Sequence, residues 1–223
     1  MIDDNKQTIK IFPDELVSGT VTNQKELDEA FIKYPNFSKT YIQTALYWED
    51  ARKWYESNWL KVYKYLDKNF LNKFQTGEKH YARAWEFHLA AVLLDKGLQL
   101  EEKTWETGPD FCIKTPTGKK IWIEAIICDL GIVDPVESYP VMESGQIYSF
   151  GGNIEDTHRP RALRITNAIG TKFEKFKKYL NDSKSGVGKD DCLLIAINGG
   201  AIQHFADPSM LFKRAVFGQG PDV

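Results

Sequence analysis

Gly108-Pro109-Asp110-Phe111-Cys112-Ile113-Lys114-Thr115-Pro116-Thr117-Gly118-Lys119-Lys120-Ile121-Trp122-Ile123-Glu124-Ala125 is the stretch on which the fold turns. It reads as a β-hairpin, with Phe111 and Ile113 on one arm and Ile121, Ile123 and Ala125 on the other. Thr115-Pro116-Thr117-Gly118 is the turn. If the arms fold about Thr117, Gly118 takes the left-handed position of a three-residue loop, and Asp110 falls opposite Glu124. Directly opposed like charges destabilise a strand pair. Such a pair calls for something positive nearby, a basic side chain or a divalent cation.

The 223 residues, 42% of them hydrophobic, can bury one full core and a small accessory subdomain. A net charge of −2 provides no global basic field, so nucleic-acid contact would need a local patch. Cys112, Cys128 and Cys192 sit in apolar, strand-like segments without metal-ligand spacing and read as reduced core thiols. No run is long enough to span a membrane and the start has no signal pattern, so the expected location is the cytoplasm. Gly218-Gln219-Gly220-Pro221 reads as a linker into further chain.

Three regions are expected: 1–76 mainly helical, 77–199 an α/β core, and 200–223 a helix and tail. In the first, Asn23 caps a helix that ends before Pro35. A second helical region spans Ser38 to Phe74 and is dense in Tyr and Trp. Aromatics at helical spacing with interleaved Lys and Arg can stack bases, but packing is the plainer reading. In the core, a helix from Glu78 to Lys96 is closed by Gly97, and its apolar stripe is Ala82, Trp85, Leu89, Val92 and Leu93. Glu86 lies within that stripe, where a carboxylate is costly without a partner.

Leu98–Glu102 reads as a strand, and the hairpin supplies two more, the second long enough to be central. Gly131 to Thr157 reads as a functional loop or lid, with a disordered insertion as the alternative. A long helix from about Arg159 to Leu180 has the stripe Ile165, Ala168, Ile169, Phe173, Phe176 and Leu180. Lys172 lies on its inner edge with Arg161 aligned above it. Cys192–Ile197 reads as a buried parallel strand, reached from the Glu124 strand by a βαβ crossover. Asp207-Pro208 opens a short final helix.

The order helix, strand, strand, strand, helix, strand, with Glu86, Asp110 and Glu124 on the first helix, second strand and third strand, resembles the PD-(D/E)XK, or restriction-endonuclease-like, nuclease superfamily over Glu78 to Asn198. Pro109-Asp110 matches the "PD", Glu124 the "(D/E)", and Glu86 the acid that many members carry on the first helix. The resemblance implies a mixed-sheet α/β core behind an N-terminal helical subdomain. It further implies a nuclease in which these three acids hold Mg²⁺, with Mn²⁺ as a substitute. Hard oxygen ligands of this kind suit Mg²⁺, which activates water and offsets charge on a phosphate.

The chain departs from the family at Ile126, where a lysine is expected. Some members carry that lysine on the helix after the third strand, and Lys172 is the matching residue here. Otherwise Lys172 merely lays its stem on apolar surface. Arg161 and Arg164 are candidate phosphate contacts, and the basic residues between Arg159 and Lys189 form either a phosphate-binding face or a solvated surface. The four histidines have no ligand spacing, and Gly151-Gly152 lacks the setting of a nucleotide-binding loop. The expectation is therefore a nuclease acting on DNA, with a homodimer compatible with it. The competing expectation is an inactive nuclease-fold module that binds nucleic acid or protein.

Overall fold

A computed structural model describes residues 10–18, 21–77, 80–128, 154–199 and 208–217, the side chains of 154–161, 208–211 and 214 excepted. The chain forms two compact units, Met1–Thr104 with Asp110–Lys114, and Trp105–Pro109 with Thr115–Val223.

The first unit holds helices α1 (Asp14–Val17), α2 (Gln24–Lys33), α3 (Lys39–Leu46), α4 (Glu49–Val62), α5 (Phe70–Thr76) and α6 (His80–Asp95), together with strand β1 (Phe111–Lys114). Asn23 caps α2 by accepting from the Glu26 amide, and Ser38 caps α3 by accepting from Tyr41. The expected helical region from Ser38 to Phe74 is made of three helices and a 3-10 turn at Tyr63–Tyr65, with breaks at Tyr47-Trp48 and again at 66–69. These breaks let the aromatic faces turn onto one another. The Phe87 ring centroid lies 5.0 Å from that of Tyr55, 5.6 Å from Trp54 and 6.2 Å from Phe70. Phe12, Tyr41, Phe70 and Phe74 are almost fully buried, so part of the aromatic density is core, while Tyr47, Trp48 and Tyr63 are exposed.

Helix α6 ends in a Schellman motif, in which Leu98 N–H donates to Leu93 O and Gly97 N–H to Leu94 O. Gly97 takes the left-handed conformation this needs, at φ 76°. The buried line of α6 is Phe87, Ala90 and Ala91 rather than the expected one, and Val92 is exposed. Packing of Phe87 on the aromatic rings sets that rotation. The expected strand at Leu98–Glu102 is only an isolated antiparallel bridge between Leu100 and Ile113, with Glu101 N–H donating to Cys112 O.

The second unit contains β2 (Lys120–Ile127), α7 (Ile154–Leu180), β3 (Cys192–Asn198) and α8 (Pro208–Phe217). The three strands form a small mixed sheet in the order β1–β2–β3, with β2 and β3 parallel and Glu124 beside Ile195. The turn before β2 closes as its sequence demands: Thr115 N–H donates to Lys119 O, and Gly118 has φ 81°. Central β2 is buried on both faces from Trp122 to Ala125. Terminal β3 is not the buried strand expected. Leu194 is half exposed and Cys192 is an exposed thiol, whereas Cys112 and Cys128 are buried.

Helix α7 begins at Ile154, before the expected start near Pro160, while 129–153, most of the anticipated loop, lies outside the described residues. Its buried line is Ala162, Ile165, Ala168, Phe176 and Tyr179, and Phe173 is half exposed. Ile126 and Cys128 of the β2 segment pack with Ala162, Ile165, Ala168 and Ile169. Two strand residues advance about 6.6 Å and four helical residues about 6 Å. Stepping back along β2 from Ile126 to Glu124 therefore matches stepping forward along α7 from Ala168 to Lys172.

Candidate active site

In the first unit, α6 carries Glu86 on the border of its buried face, with the side chain almost withdrawn from solvent. Arg83, one turn earlier, donates from Nη1 to Glu86 Oε2 at 2.6 Å and to Asp67 Oδ2 at 3.3 Å. Burial first, and then the charge of Asp110, push the Glu86 carboxyl up to about 7, against the pull of Arg83 and Lys103. Asp110, immediately before β1, is half buried, and its carbonyl accepts from Lys103 Nζ at 3.4 Å. Glu86 and Asp110 thus form an acidic pair whose mutual repulsion the neighbouring cations only partly offset.

In the second unit, Glu124 is completely buried in the middle of β2. A charge in that position is strongly penalised unless it is paired. Lys172 of α7, itself mostly buried, donates from Nζ to Glu124 Oε2. The half-exposed Lys175 lies with Nζ 3.4 Å from Oε1, an ion pair without a hydrogen bond, so that oxygen accepts none. The position that the family resemblance reserves for lysine, Ile126, is instead part of the apolar contact between β2 and α7.

The structure therefore joins Glu124 with Lys172, and sets Glu86 and Asp110 within electrostatic reach of each other. Among the described residues, no group of three or more His, Cys, Asp or Glu side chains is placed to hold a metal ion. Arg164 is half buried on α7, with a buried Nη2 that has no hydrogen-bond partner. The side chains of Arg161 and His158 lie outside the described residues, as do Gly151 and Gly152.

Sequence reasoning missed Arg83 and Lys103, and placed Lys175 only within the basic run rather than beside Glu124. Arg83 stands three residues before Glu86, and Lys175 three after Lys172. Helical neighbours meet at those spacings, so both were accessible from periodicity alone. Lys103 has no comparable signal, because a non-helical segment brings it to Asp110.

Among the described residues, no helix is long and apolar enough to cross a membrane. Comparison with family models, with curated proteins and with solved structures finds no match.

Proposed function

We propose that this protein is a metal-dependent nuclease that hydrolyses phosphodiester bonds, with DNA as its substrate. The observation that carries this reading is the pairing of Glu124 with Lys172, a strand carboxylate joined to an ammonium from the following helix. The resemblance to PD-(D/E)XK nucleases requires a cation beside this acid, and Ile126 cannot supply it. Lys172 can.

Carboxylate oxygens are the hard donors that Mg²⁺ or Mn²⁺ takes, and the chemistry of Glu86, Asp110 and Glu124 fits such an ion. Glu124 Oε1 is buried and accepts no hydrogen bond. The Glu86 carboxyl is raised by burial and by the charge of Asp110, a repulsion that a divalent cation relieves. Glu86, Asp110 and Glu124 would hold the ion, which would supply an acidified water and offset charge on the phosphate. Lys172 holds the Glu124 carboxylate in one orientation and adds positive charge where the negative charge of the phosphate grows. Arg161 and Arg164, on the same helix, contact flanking phosphates.

The test is cleavage of plasmid and single-stranded DNA with Mg²⁺ or Mn²⁺, comparing wild type with Glu124→Ala and Lys172→Ala. The expected outcome is metal-dependent cleavage in wild type, abolished in Glu124→Ala and reduced about 100-fold or more in Lys172→Ala, the scale of losing one electrostatic stabiliser. Wild-type cleavage undiminished in Glu124→Ala contradicts the reading.

A second reading, an inactive nuclease-fold module, is favoured by two observations. Both oxygens of Glu124 face lysines, and no three potential ligands group together among the described residues. In that case Glu124–Lys172 is a structural ion pair, and wild type binds DNA without cutting it.

A further inference from the structure

The segment leading into Asp110 is fastened by the loop that follows α7. Trp105 Nε1–H donates to Pro109 O at 2.8 Å, closing 105–109 into a compact loop. Thr107 Oγ1 donates to Asp182 Oδ2 at 2.7 Å. Asp182 is itself fixed, because its other oxygen accepts from the Lys184 amide at 2.9 Å. Gly108 has φ 146°, and a Cβ there would stand 2.8 Å from the Trp105 ring and 3.1 Å from the Ser185 carbonyl. Only glycine lets the chain lie that close. Ser185 is fully buried and donates from Oγ to Tyr179 O at 2.7 Å, which ties the loop back to α7.

The same loop grips β2. Trp122 is fully buried and donates from Nε1 to Asp191 Oδ2 at 2.8 Å, an oxygen that also accepts from the Gly188 amide. The rings of Trp105 and Trp122 meet edge to face at 5.1 Å. One loop, residues 181–191, therefore holds three pieces of chain. These are Thr107-Gly108 just before Asp110, Trp122 two residues before Glu124, and the end of the helix that carries Lys172.

We propose that the Thr107–Asp182 hydrogen bond is a latch that sets the position of Asp110 for the reaction, making Thr107 and Asp182 positioning residues. The inference rests on the nuclease reading given above. Neither residue touches the reacting atoms; both act through the backbone of Gly108 and Pro109. The geometry makes the role demanding, since misplacing a reacting group by about 1 Å can cost about 100-fold in rate.

Thr107 is exposed, so Thr107→Val removes the donor at constant shape without threatening the core, and Thr107→Ser keeps it. Two measurements are made on each full-length variant. One is amide hydrogen exchange across 105–112 in metal-free protein, read by mass spectrometry. The other is the rate of plasmid cleavage against Mn²⁺ concentration.

The expected result for Thr107→Val is exchange faster by about tenfold and cleavage slower by about tenfold or more, with a higher Mn²⁺ requirement and an unchanged melting temperature. Thr107→Ser restores both readouts, and Gly108→Ala reproduces the loss. Unchanged exchange in Thr107→Val overturns the latch whatever the activity. Faster exchange with wild-type cleavage overturns its catalytic role and leaves the nuclease reading standing. A wild type that never cleaves overturns the nuclease reading, and the positioning role falls with it.

Discussion

Lys172 and Glu124 are worth more as a pair than either is alone. With Glu124 wholly buried, Lys172→Met leaves a carboxylate without its hydrogen-bonded partner, and the expected loss of stability is about 3–5 kcal/mol. Lys175 is half exposed and makes no hydrogen bond to the carboxylate, so Lys175→Met is expected to cost less than about 1 kcal/mol. The double variant Glu124→Gln/Lys172→Met removes both charges and is expected to recover most of the single variant's loss. Urea unfolding of the three variants beside wild type measures the difference. A Lys172→Met protein as stable as wild type contradicts the buried pairing.

At the scale of elements, α7 has an avoidable weakness. Gly170 lies in the middle of this helix, and a Cβ there would meet nothing within 4 Å. Gly170→Ala is expected to stabilise the protein by about 0.4–1 kcal/mol, chiefly by restricting the unfolded chain. A thermal melt that moves downward contradicts that expectation.

What the sequence disclosed about the elements follows from how local each signal is. The turn at Thr115–Gly118 was legible because Gly118 and its two flanking residues determine it alone. Lys172 was legible from its spacing to Ala168 and Phe176. The buried line of α6 was not, since Phe87 is drawn inward by rings on α4 and α5 that periodicity within α6 cannot see. Leu98–Glu102 has the composition of a strand, but strand pairing depends on a partner, and Leu100 meets one only at Ile113. Likewise β3 has an apolar run whose burial depends on layers that the run does not itself specify. Glu86 was found despite the misplaced stripe, because it borders the apolar face in either rotation.

For the whole molecule, two buried groups give stability opposite dependences on pH. Burial lowers the pKa of His80, whose Nδ1 contacts Phe74 O at 2.9 Å. Its neutral form is the one that the fold favours. That contribution is present above the unfolded value near 6.5 and is lost as pH falls below it. Glu86 runs the other way. With its carboxyl raised to about 7 from 4.5, the protonated form is favoured, so its contribution is fully present below 4.5 and is lost as pH rises through 7.

The metal-free protein is therefore expected to lose stability on both sides of a narrow range. Glu86→Gln should abolish only the alkaline loss, gaining on the order of 3 kcal/mol at pH 8. Denaturant midpoints across pH 5–9 check this, and a variant that tracks wild type on the alkaline side contradicts it.

The same repulsion gives the most direct test of the nuclease reading. Calorimetric titration of Mn²⁺ into wild type at pH 7.5, beside Asp110→Asn and Glu124→Gln, asks whether the acids serve one ion. The expected result is one ion bound per chain in wild type and binding at least about tenfold weaker in each variant, the scale of losing one ligand. A wild type that takes up no ion, or variants that bind it as wild type does, would contradict the account.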